Sequence, residues 1–201
     1  MLGSKLEIAT PDGVSDAYVT HPAGDGPWPV ILYFTDAFGL REVVHAMCDR
    51  LAACGYFVVA PNLLYRQGGV SPFDPKTVFT TPTEMQRLMK VISSLDDAAV
   101  TRDVGAYLSF VATQAKAREG KIGAVGYCMG GGCAILAACE YPDRFGAVAS
   151  FQGVASWSSR PARRASPSER AQRSTSASRR SIAATTRPSP IASRPRSRRR
   201  G

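Results

Sequence analysis

Histidine is scarce in this sequence, and its scarcity limits the chemistry that the chain can perform. Of 201 residues only His21 and His45 are histidines, and none follows residue 45. We expect His21 to be a surface loop residue, because it precedes a proline in a loop-forming run, and His45 to lie half-exposed on a helix. The spacing of Cys128, Cys133 and Cys139 matches no metal-binding pattern, so we expect no metal site.

Long apolar runs and a secretory leader are also lacking. No apolar run approaches the roughly 20 residues that span a membrane. Residues 1–5 lead directly into an amphipathic strand, which differs from the pattern of a signal peptide. We therefore expect no membrane partner. The five cysteines are an odd number in a chain without a secretory signal, which favours reduced thiols and a cytoplasmic location.

The last quarter of the chain lacks lysine and most of the side chains that build a core. Residues 154–201 hold 13 Arg, 12 Ser, 8 Ala and 5 Pro, with a net charge of +12, whereas residues 1–153 carry −3. After Trp157 there is no aromatic residue, and the only large aliphatic ones are Ile182 and Ile191. Because so few apolar side chains cannot offset the entropy of ordering the segment, we predict a disordered tail over residues 154–201.

Two interpretations of this Arg/Ser/Pro-rich tail differ in kind. A genuine arginine-rich tail would bind nucleic acid or another polyanion, although it has no lysine and no interleaved aromatic residues for base stacking. Alternatively, the tail is an out-of-frame translation, since GC-rich coding sequence read in the wrong frame gives this mixture of residues. We favour the second interpretation because the change after residue 153 is abrupt. Translation of the underlying DNA in its other two frames tests it.

Ahead of the tail, apolar runs and turn residues alternate in the order of an α/β protein. A hairpin comes first, followed by strand–helix–strand, two helices, and a strand–turn–helix–strand unit. This order favours a three-layer α/β sandwich with a mostly parallel sheet over residues 1–153, incomplete at its C-terminal end. The predicted strands cover residues 5–10, 14–20, 30–35, 56–60, 122–125 and 146–151. The first predicted helix ends near residue 53, the second starts with a capping box at Thr81 and Glu84, and the third starts near Thr101.

The segment 121–139 carries the strongest chemical signal. An apolar strand ends in Gly126-Tyr127-Cys128-Met129-Gly130 and continues into a helix of small residues. This is the layout of a nucleophile elbow, G-x-S-x-G, with cysteine in place of serine. The helix start beside Cys128 would lower the pKa of its thiol and bind an oxyanion. A buried, inert Cys128 stays a possible alternative.

A second loop follows a buried strand at residues 36–41. Because active sites in parallel sheets form beyond the carboxyl ends of the strands, Asp36-Ala37 and Cys128 can face one crevice. Asp36 could serve the site, or it could cap the helix that follows.

Together these segments resemble the dienelactone hydrolase family (carboxymethylenebutenolidase-like) of α/β-hydrolases. The likeness covers roughly residues 5–153 and includes Gly55-Tyr56 through Pro61-Asn62-Leu63-Leu64-Tyr65-Arg66. It implies a cofactor-free hydrolase with a small-molecule ester or lactone substrate. Cys128 would match the nucleophile, and the backbone N–H groups of Met129 and Ala37 would match the oxyanion hole. Asp36 stands where the family has an acidic residue that interacts with the thiol.

The sequence departs from this family at the catalytic base. The family pattern places an Asp and then a His after the nucleophile, whereas this chain has no histidine after Cys128 and only Asp143 as an aspartate. We therefore expect a poorly soluble hydrolase that is impaired or inactive. Two other hypotheses stay open: a non-catalytic protein whose arginine-rich tail binds nucleic acid, and a redox-sensing protein that uses Cys128.

Overall fold

The computed structural model of the protein describes residues 1–67 and 73–153, and a six-stranded sheet forms its centre. The strands lie in the order β1-β2-β4-β3-β5-β6. The pairs β1–β2 and β2–β4 are antiparallel, and the pairs β4–β3, β3–β5 and β5–β6 are parallel. The strands are β1 (Leu2–Thr10), β2 (Gly13–His21), β3 (Val30–Phe34), β4 (Phe57–Pro61), β5 (Ile122–Tyr127) and β6 (Phe145–Phe151).

Helices cover both faces of this sheet. On one face α1 packs its buried Val44, Cys48 and Ala52 against β3 and β4. On the other face α2, α3 and α4 share a larger apolar core with the strands. The predicted α/β sandwich is thus confirmed. The helices are α1 (Glu42–Ala53), α2 (Pro82–Ser93), α3 (Asp97–Ala112) and α4 (Met129–Glu140), with a short 3-10 helix at Tyr65–Gln67.

The two central strands, β3 and β4, lie between the helices on the two faces of the sheet. Every residue of β3 and of β4 is buried, as continuous apolar runs covered on both faces require. Leu32 and Phe34 point to the larger core, and Ile31 and Tyr33 point to α1. The alternation of side chains along β3 therefore contributes to both apolar layers at once.

The second helix starts at Pro82 after Thr81, as predicted, but its capping bonds and the start of the third helix differ from the sequence prediction. The third helix starts at Asp97 rather than near Thr101, because the Asp96 side chain caps it by accepting the Ala99 N–H at 2.6 Å. The predicted capping box of the second helix is wrong. Thr81 precedes the helix without a side-chain capping bond, and Glu84 pairs with Arg87 instead.

Two strands of the sheet separate both histidines from the nucleophile turn. His21 is the last residue of β2, where its ring stacks on Trp28 and Phe57 at 5.1 and 5.6 Å, so the prediction of a surface loop residue is wrong. His45 is half-buried on α1 and stacks on Tyr18 of β2 at 4.2 Å. Since β4 and β3 separate β2 from β5, neither ring lies beside the residue that follows β5.

The predicted tail, residues 154–201, lies outside the described residues. In the described ranges no helix is both long and apolar enough to cross a membrane.

Candidate active site

Cys128 occupies the sharp turn between β5 and α4. Its backbone has φ 51° and ψ −119°, in a region that residues other than glycine rarely adopt. Such conformations cost about 1–3 kcal/mol and are concentrated at functional sites, where the surrounding structure holds them. The turn is held here by the Cys128 N–H, which donates to the Phe151 carbonyl at 2.8 Å, and by the Gly131 N–H, which donates to the Cys128 carbonyl at 3.0 Å.

The glycines on either side of Cys128 allow two backbones to touch. A Cβ at Gly126 would lie 2.7 Å from the Gly131 nitrogen, and a Cβ at Gly130 would lie 2.6 Å from the Phe34 carbonyl carbon. These distances are shorter than real Cβ atoms tolerate, so a side chain at either position would force strand, turn and helix apart. The G-x-C-x-G spacing is therefore a packing requirement of this turn.

Exposure separates Cys128 from the two buried cysteines, Cys48 and Cys133. Cys48 and Cys133 are buried, and burial raises the pKa of each thiol to about 12. Both are inert thiols at neutral pH. Cys128 is exposed, and it precedes the first residue of α4. The alternative of a buried Cys128 is therefore wrong.

The loop after β3 lies beside this turn. Phe34 and Gly126 are register partners on neighbouring parallel strands, and Asp36 and Cys128 each follow two residues later. Gly130 packs against the carbonyl oxygen of Thr35, which fixes the loop against the first turn of α4. The structure thus brings together the four predicted site residues at one end of the sheet: Asp36, Ala37, Cys128 and Met129.

Two backbone N–H groups at this end are candidates for binding an oxyanion. Met129 is the first residue of α4, so its N–H has no acceptor within the helix and lies at the positive end of the helix dipole. Ala37 is buried in the turn that the Gly39 N–H closes onto the Asp36 carbonyl at 3.1 Å. Both segments are anchored by backbone contacts, which is what a preorganised oxyanion site needs.

Asp36 is engaged by an arginine that the sequence reasoning missed. Both of its carboxylate oxygens accept from the Arg41 guanidinium at 2.7 Å, and Oδ1 also accepts the Phe38 N–H at 3.0 Å. α1 begins after Arg41, so the idea that Asp36 caps this helix is wrong. Asp36 and Arg41 are five residues apart, and Gly39 between them has a φ of +73°. This spacing across a glycine is the only feature of the sequence that indicates a contact between the two side chains.

Aromatic residues cover one side of the loop. Phe38 makes edge contacts with Phe73 and Phe79, with ring centroids 6.4 and 6.1 Å apart, and the Arg41 guanidinium lies 5.3 Å from the Phe38 ring centre. Phe73 is buried, whereas Phe79 is 64% exposed. An apolar wall with one solvent-exposed ring therefore lies next to Ala37.

The acid–base partners of a catalytic triad do not accompany Cys128. The sequence has no histidine after it. Asp143 lies just before β6, and because β5 and β6 are parallel, it is at the opposite end of the sheet from Cys128. Within residues 1–67 and 73–153, no group of three or more His, Cys, Asp or Glu side chains could hold a metal ion.

Comparisons with known proteins agree on one family. A sequence profile described as "Dienelactone hydrolase family" matches residues 15–184, beyond the predicted boundary at residue 153. A protein of Methylorubrum extorquens, named as a presumed carboxymethylenebutenolidase, is 36% identical over 143 residues, or 71% of this chain and 46% of that protein. A carboxymethylenebutenolidase of Pseudomonas putida is 29% identical over 145 residues, or 72% of this chain and 59% of that protein.

Solved structures give the same result. The crystal structure of a presumed dienelactone hydrolase from Klebsiella pneumoniae has a TM-score of 0.63 and 29% identity, and the match covers 76% of this chain and 60% of that one. The structure named m3DLH also has a TM-score of 0.63, at 22% identity, over 76% of this chain and 59% of its own, which supports the fold alone. The chain spans about half the length of the curated relatives that it matches.

Proposed function

The chain belongs to the dienelactone hydrolase family, and from this premise we propose that Cys128 is the nucleophile of a hydrolase for small carboxylic esters or lactones. One observation carries the proposal: Cys128 is an exposed thiol in a strained turn at the start of a helix. A strained backbone at an exposed residue is typical of functional sites, and here it supports a role in presenting the sulfur to a substrate. No cofactor enters the reaction.

The proposed reaction begins at the carbonyl carbon of the ester. The Cys128 sulfur forms a bond to this carbon, and the carbonyl electrons move to the oxygen. The N–H groups of Met129 and Ala37 donate to that oxyanion, and loss of one such donor typically costs about 3 kcal/mol of transition-state stabilisation. The carbonyl re-forms, the C–O bond breaks, and the leaving oxygen takes up the proton that the thiol has lost. The alcohol departs from an ester, whereas in a lactone it stays attached to the acyl group as a hydroxyl. Water attacks the thioester, the C–S bond breaks, and the acid is released.

Asp36 has a supporting role in this proposal. Its carboxylate faces the same end of the sheet as Cys128, but its two oxygens already accept from Arg41. The guanidinium balances the negative charge of the carboxylate at this end of the sheet. We assign Asp36 as the acidic residue that interacts with the thiol, with Arg41 as the residue that positions it.

Proton transfer is the step for which this chain has no assigned group. Both formation and hydrolysis of the thioester need a base within hydrogen-bond reach of the thiol or water. The sequence has no histidine after Cys128, and Asp143 lies at the wrong end of the sheet. We propose that the chain is impaired or inactive in turnover, and that residues 154–201 are an out-of-frame product. A strand–Asp…His pattern in another reading frame of the DNA would support the latter.

A burst experiment with p-nitrophenyl acetate tests the nucleophile separately from turnover. We expect about one equivalent of p-nitrophenolate per chain, followed by a slow steady phase, because acylation of an exposed thiol needs less assistance than hydrolysis of the thioester. Cys128→Ala should abolish the burst. Cys139→Ala is the matched control, since Cys139 is also exposed and lies at the other end of α4, and it should leave the burst unchanged.

Two outcomes would contradict this proposal in different ways. A burst that persists in Cys128→Ala would show that Cys128 is not the nucleophile. Steady turnover within tenfold of that of a full-length relative, lost in Cys128→Ala, would show that the chain is not impaired.

A second candidate function rests on the charge of residues 154–201. We propose, as the alternative, a non-catalytic protein whose 13 arginines in this segment bind nucleic acid. Phosphate contacts make such binding fall steeply with salt concentration. Titration of duplex DNA at several salt concentrations, with and without these residues, tests it. Absence of binding at low salt would exclude this alternative.

A further inference from the structure

Two aromatic rings at right angles stand beside the loop that carries Ala37. Phe38, the next residue along the chain, is half-buried, and its ring meets that of Phe79 with ring centroids 6.1 Å apart. The planes of the two rings make an angle of 89°. We call Phe38 and Phe79 the aromatic corner. The reaction proposed above uses neither ring.

Phe79 is the exposed half of the aromatic corner. At 64% exposed, it has the largest exposed fraction of the large apolar side chains in the described ranges. Single exposed apolar residues are common on protein surfaces, so exposure by itself does not indicate a binding site. The fixed position of this ring next to a candidate active site is the more informative feature.

Backbone hydrogen bonds and a buried neighbour hold Phe79 in place. The N–H groups of Thr77 and Val78 donate to the Asp74 carbonyl at 3.1 and 3.0 Å, and the Thr81 N–H donates to the Thr77 carbonyl at 3.0 Å. The Val78 side chain, directly before Phe79, is fully buried. The exposed ring is therefore carried by an anchored segment. A ring that is already held in position loses little conformational freedom when a ligand stacks on it.

The neighbouring rings are already partly covered. The Arg41 guanidinium lies 5.3 Å from the centre of the Phe38 ring, and the Arg87 guanidinium lies 4.1 Å from the centre of the Phe73 ring. Phe73 is also buried. A ligand in the aromatic corner therefore has Phe79 as its main stacking partner, with Phe38 at a right angle to it.

The aromatic corner favours a flat aromatic group over an aliphatic chain. Aromatic rings attract one another in offset-stacked or edge-to-face arrangements, with centroids about 4.5–7 Å apart. A ligand ring in the corner can stack on one ring and meet the other edge-on at the same time. An aliphatic chain gains only the burial of its surface there, so the corner discriminates between the two kinds of substituent.

The position of the corner links it to the reacting carbonyl. In the proposed reaction the Ala37 N–H donates to the carbonyl oxygen, and consecutive Cα atoms are about 3.8 Å apart, so this carbonyl lies close to Phe38. We propose that the aromatic corner is a substrate subsite with Phe79 as its specificity-determining residue, and that the preferred esters carry an aromatic ring close to the reacting carbonyl. The inference rests on the proposed function and names its substrate class.

Alkylation of Cys128 tests the corner without requiring hydrolysis. The probes are 2-bromoacetophenone and bromoacetone, which differ only in a phenyl or methyl group on the carbonyl. In both, the sulfur bonds to the CH2 carbon, bromide leaves, and the thiol proton passes to the buffer. Peptide mass spectrometry on the full 201-residue chain gives the rate constant of each thiol. Dividing the phenyl-to-methyl ratio at Cys128 by that at Cys139, an exposed thiol at the far end of α4, corrects for intrinsic reactivity.

Variants of Phe79 locate the preference. We expect a normalised ratio of about ten in the unaltered chain, because the phenyl group gains aromatic contacts that the methyl group lacks. Phe79→Ser should bring the ratio close to one, Phe79→Leu should keep less than half of it, and Phe79→Trp should retain it. The control is Leu2→Ser on β1, where Leu2 is 54% exposed, and it should leave the ratio unchanged. Far-UV circular dichroism and urea midpoints confirm that the variants are folded.

Four results would overturn the inference. They are a normalised ratio near one in the unaltered chain, a ratio that Phe79→Ser retains, a ratio that Phe79→Leu retains in full, and no alkylation of Cys128 by either reagent. If Phe79→Ser changes the oligomeric state in light scattering but not the ratio, the ring contacts protein and not substrate.

Failure of the proposed function gives a different pattern. A phenyl preference at Cys128 that depends on Phe79, in a chain that shows no burst with p-nitrophenyl acetate, supports the aromatic corner as a binding site and contradicts ester attack by Cys128. A burst that Cys128→Ala abolishes, in a chain with a normalised ratio near one, contradicts the corner alone.

Discussion

Among the described residues, β1 and β6 are the two outer strands of the sheet, and of this pair only β1 carries charged side chains. Lys5 and Glu7 are exposed on β1, which pairs with β2 over nine register positions. β6 has no titratable side chain and exposes Val148 and Phe151 by 40% and 50%. Charged edges resist the addition of another strand, whereas uncharged ones invite it. Among the described residues, β1 therefore carries the usual protection of an edge strand, and β6 does not.

The β1 side is also tied to the rest of the fold by a polar network. Asp103 on α3 is 1% exposed and binds Arg66 with both oxygens at 2.7 Å, and it accepts the Tyr65 hydroxyl at 2.8 Å. Arg66 extends the network to Asp12 in the β1–β2 turn at 2.7 Å. Burial raises the pKa of Tyr65 to about 12, so its hydroxyl stays a donor over the physiological range. No comparable network involves β6 within the described ranges.

The largest expected effect comes from removing the centre of this network. Asp103→Ala should lower the free energy of unfolding by about 3 kcal/mol, because it leaves the Arg66 guanidinium without its buried partner. Urea unfolding followed by circular dichroism measures the change. Arg102→Ala is the control, since Arg102 is about half exposed and pairs with Asp12 at the surface, where solvent screens the ion pair and the loss should be much smaller. Equal losses in the two variants would show that burial of the pair is unimportant.

The second prediction concerns the outer edge of β6. Ala147→Lys should markedly raise the concentration at which the chain aggregates, because a charge on β6 opposes pairing with another strand. Turbidity and light scattering across a concentration series measure this threshold. The same change at Leu2 on β1 should have a much smaller effect. If both substitutions act alike, net charge rather than the β6 edge controls aggregation.

The third prediction concerns the removal of charges from β1 instead of the addition of a charge to β6. Lys5→Thr with Glu7→Thr removes the charges of β1 and keeps residues that suit a strand. We expect the aggregation threshold to fall, but by less than Ala147→Lys raises it, because β1 stays anchored by the turn at Asp12. Light scattering on the double variant and on Ser4→Thr, an exposed neutral control on the same strand, tests it. A threshold equal to that of the unaltered chain would mean that the charges do not protect β1.

Local patterns predicted the parts of the site that depend on neighbours in sequence. The buried strands follow from continuous apolar runs, and the nucleophile turn follows from glycines two residues on either side of Cys128. Contacts between distant residues could not be predicted. Arg66 and Asp103 are 37 positions apart, and nothing in the sequence around either residue names the other.

Two features that involve residues closer in sequence also depend on contacts that local patterns do not indicate. The Asp36–Arg41 pair depends on the shape of a loop rather than on a periodic pattern. The proline after His21 predicts a loop, but the antiparallel pairing of β2 with β1 extends through His21, which pairs with Leu2. Pairing with a partner strand outweighed the local turn signal.

The smallest predicted effect is a pH dependence confined to the β1 side. Burial, together with the positive charge of Lys5, lowers the pKa of His45 below its ordinary value, although Asp49 and Glu42 act in the opposite direction. The folded state therefore disfavours the protonated ring. As pH falls through the unfolded value of about 6.5 towards the lower folded value, the unfolded chain takes up the proton first, so stability decreases.

His45→Phe keeps a ring stacked on Tyr18 and removes the titration. Urea midpoints between pH 8 and pH 5 should show a smaller loss of stability in His45→Phe than in the unaltered chain, by less than about 1 kcal/mol because the ring is only half-buried. Lys5→Met should give an intermediate slope, since it removes one of the two causes. If stability changes with pH by the same slope in all three chains, protonation of His45 does not affect the stability of the β1 side. The two outer strands would then differ in charge but not in their response to acid.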